Sequence, residues 1–420
     1  MSKIRLLPSN LVDQIAAGEV IERPASALKE LVENALDAGA TQIIVVIIDG
    51  GLSSISVSDN GCGMNADELS LAVKRHATSK LPCGNLFDIK SFGFRGEALP
   101  SIAAVSELEI SSRAETLEYG WKIRIEHGDI FAPEPVARAV GTTVSVRDIF
   151  KKIPARRKFL KTQRTEAGIC LEVVKRLAMA TPDVSFIFTD TGKTLLNLPA
   201  RTDDNSAIRD RLSDAMGHIF AKEAVMLDAE KNKCSLSGLM GLPTMNRPTT
   251  QYMNIFVNQR PVKDKQIIGA IRAAYSDTLP KGRFPIIVLF ISVSLENVDV
   301  NVHPAKSEVR FSDPGEIRSL IVGSIQSALR ESGIHTTAEG AQNTLNRLAF
   351  SVRGLNSGRT SYPNPTLSNA SELGIKGYLQ SPDATSFLPS PDMFSASLPL
   401  AKIEEEQADL ETKNKQKFVE

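Results

Sequence analysis

The stretch from Pro24 to Gly63 constrains the fold of this chain more than any other. Leu28, Leu31, Val32, Ala35 and Leu36 recur at the three-and-four spacing of one helical face, while Glu30, Glu33, Asn34 and Asp37 fall on the opposite side. This predicts a short helix with one core face and one acidic face. Ile43 to Ile48 then run as an unbroken apolar strand, Asp49-Gly50-Gly51 turn the chain, and Ile55 and Val57 alternate on a returning strand. That strand stops at Asp59-Asn60-Gly61-Cys62-Gly63. A carboxylate and two glycines therefore sit at a strand end facing the polar side of the helix.

The residue types point to a nucleotide site. Glu30 and Asn34 are one turn apart, which suits a water-activating base beside a magnesium ligand. A bare acidic face repels phosphate, and a bound magnesium ion reverses that sign. Asp59 is a single acceptor beside Gly61 and Gly63, which are expected to let a flat ring approach the backbone, and it suits reading the exocyclic amine of adenine. None of these signals is specific alone. E-x-x-x-N pairs occur on ordinary solvated helix faces, and Asp-Asn-Gly is by default a turn.

With 420 residues, 42% hydrophobic and 23% charged, the chain has room for two domains and an additional segment. Neither a membrane span nor a signal peptide is predicted, because residues 1–17 are too polar for either. The four cysteines form no C-x-x-C and no metal-ligand spacing with the five histidines, so they read as reduced thiols in a cytoplasm. Lysine plus arginine equals aspartate plus glutamate at 49 each, so any nucleic-acid contact must come from a local patch.

Asn65 is placed to cap a helix through Asp67 to Val73. After it, Ala77 to Gly96 shows no periodicity and is long for a plain connection, as lids are. Its end, Gly93-Phe94-Arg95-Gly96-Glu97-Ala98-Leu99, runs into a predicted helix near Ser101 to Ala104 whose first N–H groups suit phosphate. Two other patterns are set aside. Gly61-x-Gly63-x-x-Ala66 imitates a dinucleotide fingerprint, but it follows an antiparallel hairpin and lacks the acid about twenty residues on. Gly192-Lys193-Thr194 imitates a phosphate loop, but it lies between two hairpin strands.

Strands are predicted over Trp121 to Phe150. Immediately afterwards come Lys151, Lys152, Arg156, Arg157, Lys158, Lys161 and Arg164, with no acid between Lys151 and Thr165. A single-sign strip suits phosphate-backbone contact better than base stacking.

Taken in order, Glu30 with Asn34, Asp59-x-Gly61-x-Gly63, the Gly93 to Leu99 loop and Gly141-Thr142-Thr143 resemble the GHKL ATPases. Lys29 to Ala40, Gly93 to Leu99 and Pro154-Ala155-Arg156-Arg157-Lys158-Phe159-Leu160 resemble, more narrowly, the MutL family of DNA mismatch repair proteins. The resemblance covers about residues 1–335. It implies an α+β chain, with a Bergerat-type GHKL ATPase α/β sandwich over 1–205 and a ribosomal S5-like transducer and DNA-binding α/β domain over 206–335. A disordered linker rich in proline and serine is expected over 336–420.

The resemblance also implies roles. Glu30 is expected as the general base and Asn34 as the magnesium ligand. Asp59 is expected to read adenine, with Gly61, Gly63 and Thr143 beside it. Thr78, Ser79, Lys80, Gly93, Phe94, Arg95, Gly96 and Glu97 are expected in the ATP lid. Lys306, in Val300-Asn301-Val302-His303-Pro304-Ala305-Lys306, is expected at the γ-phosphate. Arg156, Arg157 and Lys158 with Arg260, Lys263 and Lys265 are expected to line one DNA groove. The family more often has glycine where Gln259 stands. The implied cofactors are ATP and Mg2+. The implied partners are DNA, a mismatch-recognition protein of the MutS type, a downstream nuclease or helicase, and a second copy bound in an ATP-dependent homodimer. The C-terminal dimerisation domain and the metal motif of the nicking members are not found, so weak DNA-stimulated ATP hydrolysis without endonuclease activity is expected. A scaffold that holds ATP without turnover is the alternative.

Overall fold

The computed structural model describes residues 15–18, 20–80, 96–126, 128–202, 206–299 and 308–333. Helix α1 (Pro24–Asp37) opens with proline at its first position, where the missing N–H costs no hydrogen bond. It ends where Ala38 N and Gly39 N donate back to the Asn34 and Leu36 carbonyls. Leu28, Leu31, Val32 and Ala35 are buried, as their spacing predicts.

Strand β1 (Gln42–Ile48) returns through Asp49–Gly51 into β2 (Ser54–Asp59), paired antiparallel from Ile43 with Asp59 to Ile48 with Ser54. The apolar run on β1 is buried on one face only: Ile43, Val45 and Ile47 are buried, while Val46 is 37% and Ile48 43% exposed. Across from the outward residues stand Ser58, Ser56 and Ser54, so this is the polar, open side of a sheet backed by helices on its other face.

Next come α2 (Ala66–Ala72), α3 (Ala98–Val105), β3 (Glu107–Arg113), β4 (Gly120–Glu126), β5 (Asp129–Ile130), β6 (Glu134–Val136) and β7 (Gly141–Arg147). They are followed by α4 (Pro154–Arg157), α5 (Gln163–Ala180), β8 (Ser185–Asp190) and β9 (Lys193–Leu198). Asn65 does cap α2: its Oδ1 accepts from Glu68 N while Glu68 Oε2 accepts from Asn65 N. The nine strands form one mixed sheet in the order β5-β4-β3-β7-β2-β1-β8-β9, with β6 on β4. Only the β1 to β8 pair is parallel.

Helices α6 (Ala207–Met216) and α7 (His218–Glu223) lead to strands β10 (Val225–Lys231), β11 (Cys234–Met240), β12 (Asn246–Arg247), β13 (Met253–Val257) and β14 (Arg260–Val262). Helix α8 (Lys265–Ala274), β15 (Phe284–Pro285), β16 (Ile287–Ser292), β17 (Val298–Asp299), β18 (Arg310–Phe311) and α9 (Pro314–Glu331) complete the described chain. The second sheet runs β10-β11-β16-β13-β14, and β12 with β15 and β17 with β18 form short ribbons. Ile255 and Val257 face a core shared with Ile267, Ile271, Ile321 and Ile325 of α8 and α9, while Phe256 joins the core of the first sheet. All five residues of β13 are therefore buried, which explains a strand without alternation.

Residues 199–205 read in the sequence as a hinge; 203–205 lie outside the described residues, and the chain just before them is held in place. The fully buried Arg211 donates to the carbonyls of Pro182, Val184 and Pro199, and Arg201 pairs with Asp214 at 2.7 Å. Burial draws the Arg211 guanidinium down to a pKa of about 10. The N-terminal arm over 1–14 and the linker expected over 336–420 lie outside the described residues.

Candidate functional site: the polar face of α1

Along α1, Glu30, Asn34 and Asp37 form one stripe at four- and three-residue spacing. Asn34 Oδ1 and Asp37 Oδ2 converge on a single ammonium, that of Lys80, at 2.7 and 2.5 Å. Lys29 lies 3.1 Å from Glu33 Oε1 and 3.8 Å from Glu30 Oε1. Glu33, expected on the solvated side, is only 3% exposed. Its Lys29 partner one turn back is what allows a carboxylate to be buried there.

Arg260 enters from the second sheet. The β13–β14 hairpin turns at Asn258 and Gln259, both with left-handed backbone (φ 47° and 65°). The Asn258 side chain exchanges two 3.0 Å hydrogen bonds with Val293, which holds this turn even with glutamine where glycine is usual. Arg260 is 8% exposed, and Glu33, Asp37 and Glu30 act on its guanidinium electrostatically, opposing the downward pull of burial on its pKa. The acidic face is thus already matched by Lys29, Lys80 and Arg260. Sequence reasoning gave that neutralising task to a metal alone; only Lys29 was visible from its spacing on the helix.

Asp59 stands at the end of β2. Its Oδ1 accepts from Gly61 N at 2.9 Å and from Thr142 N at 3.3 Å, and Arg138 lies close enough to favour its charge. Burial outweighs these contacts and raises the carboxyl pKa above its ordinary 3.8. The flanking glycines also have a packing reason. A Cβ on Gly61 would meet Ala38 O at 2.7 Å, and one on Gly63 (φ 68°) would meet Arg113 O at 2.0 Å. Neither position has room for a side chain against the backbone of Ala38 and Arg113.

Thr143 is expected beside Asp59, but the register pairs Asp59 with Thr142 and Ser58 with Thr143. Paired residues share a face, so Thr142 lies on Asp59's side and Thr143 on the open side, 2.9 Å from Ser58 Oγ. Thr142 Oγ1 meets Ser112 Oγ at 2.9 Å, and Ser112 Oγ accepts from Met64 N. Sequence reasoning missed Thr142 and Ser112 because the register is not visible in the sequence.

Thr78 and Ser79 are exposed at the near end of the expected lid, and Thr78 Oγ1 accepts from Lys80 N. At the far end Gly96 abuts Ala77 O, and Glu97 Oε1 lies 3.8 Å from His76 Nδ1. The two ends therefore meet beside α1. Gly93, Phe94, Arg95 and the Val300 to Lys306 loop lie outside the described residues.

Of the six bases expected to line a DNA groove, Arg157, Lys158, Lys263 and Lys265 are exposed. Arg156 is half-buried and Arg260 is buried. Arg156 donates to Ile21 O at 2.6 Å and lies over the Phe150 ring, and Arg260 is buried against α1. Both are long side chains drawn inward by better partners than water. Among the described residues no group of three or more His, Cys, Asp or Glu is arranged to hold a metal, and no helix is long and apolar enough to cross a membrane.

Residues 21–137 match the family model described as histidine kinase-, DNA gyrase B-, and HSP90-like ATPase. Residues 212–330 match that of the DNA mismatch repair protein, C-terminal domain. The chain is 50% identical over 352 residues to a DNA mismatch repair protein MutL of Paramagnetospirillum magneticum, covering 84% of this chain and 57% of that protein. It is 51% identical over 326 residues to one of Azorhizobium caulinodans, covering 78% and 52%. The chain thus spans little more than half the length of these relatives. Among solved structures, the Aquifex aeolicus MutL ATPase domain complexed with ADP is 28% identical with a TM-score of 0.52, covering 72% of this chain and 98% of that one. An N terminal domain of a DNA repair protein is 26% identical with a TM-score of 0.65, covering 76% and 98%. On its sequence and its fold, the chain matches the ATPase region of the MutL family of DNA mismatch repair proteins.

Proposed function

We propose that this chain is an ATP-gated DNA clamp component of mismatch repair, in which ATP closes two copies together and hydrolysis reopens them. The observation that carries it is the convergence of Asn34 and Asp37 on one cation, with Glu30 a turn away, at the foot of a sheet ending in Asp59. ATP is the substrate. Asp59 accepts from the exocyclic amine of adenine, with Thr142 N and Gly61 N holding its carboxylate in place. Thr78, Ser79, Lys80, Gly96 and Glu97 border the phosphates, joined by Gly93, Phe94, Arg95 and Lys306.

The oxygen pair of Asn34 and Asp37 already satisfies one cation, and magnesium prefers one or two side-chain oxygens plus phosphate to an all-protein cage. Those residues fit it. When bound, magnesium supplies charge neutralisation at the phosphates. Glu30 takes the proton of the attacking water, and the Lys29 ammonium lies 3.8 Å from its Oε1. Lys80 exchanges its contacts on α1 for phosphate.

The division into an ATPase domain over 1–205, a transducer over 206–335 and a linker over 336–420 belongs to the same proposal. So do a cytoplasmic location, DNA contact through Arg157, Lys158, Lys263 and Lys265, and coupling to a MutS-type partner and a downstream nuclease or helicase. Phosphate release from ATP with and without chelator tests the enzymatic part. Turnover above background that chelation abolishes is the expected result. Nucleotide binding without turnover would make the chain a scaffold.

A further inference from the structure

The segment 153–160 is a rigid platform with a definite inside and outside. Ile153 and Leu160 pack on the first core, and between them Arg156 is held by the Ile21 carbonyl and the Phe150 ring. Arg157 N donates to Ile153 O, Lys158 N to Pro154 O, Phe159 N to Arg156 O and Leu160 N to Arg157 O, so the backbone is fixed throughout. With these three residues turned inward, Arg157, Lys158 and Phe159 face outward. Phe159 is 87% exposed, more than any other large hydrophobic residue described. It is no misplaced core residue, because Leu160 already fills the inward position.

Lys151, Lys152, Arg157, Lys158, Lys161 and Arg164 are exposed on the same short stretch, which contains no acid. The expectation of phosphate contact alone therefore leaves out an aromatic ring standing among the bases. We propose that Phe159 is a stacking platform for an unpaired base, so that this basic strip binds single-stranded nucleic acid through base and phosphate together. The inference rests on DNA being the partner and names which form of it this surface takes.

Charge and shape favour that occupant. A single strand offers phosphates to the lysines and arginines and an open base face to the ring. Duplex DNA keeps its base faces inside the stack. A second copy of the chain would bring the same positive strip against this one. One ring just past a four-residue helix offers too little apolar area for a lipid surface, which takes a longer amphipathic helix.

The test compares the full chain with Phe159→Ala and Phe159→Trp, using fluorescence anisotropy on a labelled oligothymidine, an abasic oligomer of equal length and a duplex. Phe159→Ala should weaken binding to oligothymidine by about 5- to 150-fold and leave the abasic oligomer and duplex unchanged. Phe159→Trp should restore affinity, and its indole emission should be quenched by oligothymidine but not by the abasic oligomer. If Phe159→Ala shifts the oligothymidine and abasic affinities equally or not at all, the stacking role is overturned while DNA remains the partner. Failure of the parent chain to bind any of the three overturns the DNA assignment itself. Loss of binding to anionic vesicles in Phe159→Ala, or loss of self-association, with oligothymidine affinity unchanged, would assign the ring to a membrane or a second copy.

Discussion

Lys80 Nζ lies 2.7 Å from Asn34 Oδ1, joining the last described residue at the near end of the expected lid to the helix that carries the proposed base. The same ammonium reaches Asp37 Oδ2, so one cation of the protein satisfies the two oxygens proposed for magnesium. Ammonium and metal then compete. Lys80→Met should bind Mn2+, a paramagnetic stand-in for magnesium, about tenfold more tightly in the nucleotide-free protein, as expected for removal of a charge-assisted hydrogen-bond pair. Electron paramagnetic resonance of the free ion measures this. An unchanged Mn2+ affinity would remove these oxygens from the metal site.

Asp59 gives a prediction in pH. Burial raises its carboxyl pKa above 3.8, so the ionised form is disfavoured by the fold. Stability tied to this group is fully present below the unfolded value and is lost as pH rises through the raised one. Asp59→Asn keeps an oxygen for Gly61 N and Thr142 N but cannot ionise. It should therefore melt higher than the parent at pH 7, with the gap narrowing as pH falls toward 3.8. Calorimetric melting across that range checks it. The same variant should lose ATP binding, since its amide presents a donor to the adenine amine.

Arg156 and its neighbours separate stability from DNA contact. Arg156→Ala removes the Ile21 hydrogen bond and the Phe150 ring contact, at a cost of about 2–3 kcal/mol in urea denaturation. Arg157→Ala with Lys158→Ala should leave stability nearly unchanged and flatten the dependence of duplex affinity on log salt by about two units. The reverse pattern would mean that the inward and outward assignments of this segment are exchanged.

Much of this fold is legible in the sequence because it depends on local periodicity. The helical spacing of Leu28, Leu31, Val32 and Ala35, the cap at Asn65 and the glycine turn between β1 and β2 are short-range features with strong physical preferences. Pairing is not local. Thr142 and Thr143 look alike in the chain, and only the register with Asp59 and Ser58 decides which one faces the helix. Likewise Arg260 and Lys80 are ordinary basic residues until the second sheet and the chain after α2 bring them to the acids of α1. The exposure of Val46 and Ile48 is not legible either, because nothing local records that the sheet has helices on one side only.

Glu30 carries the central claim that α1 is a hydrolytic face and not merely a place to hold a nucleotide. Measuring single-turnover ATP hydrolysis and equilibrium binding of a non-hydrolysable ATP analogue on Glu30→Ala tests it most directly. Hydrolysis should fall by about 10² to 10⁴ while analogue affinity changes little, because a positioned general base acts in the transition state and not in the bound ground state. Hydrolysis at the parent rate, or a loss of binding that accounts for the whole loss of rate, would contradict the account.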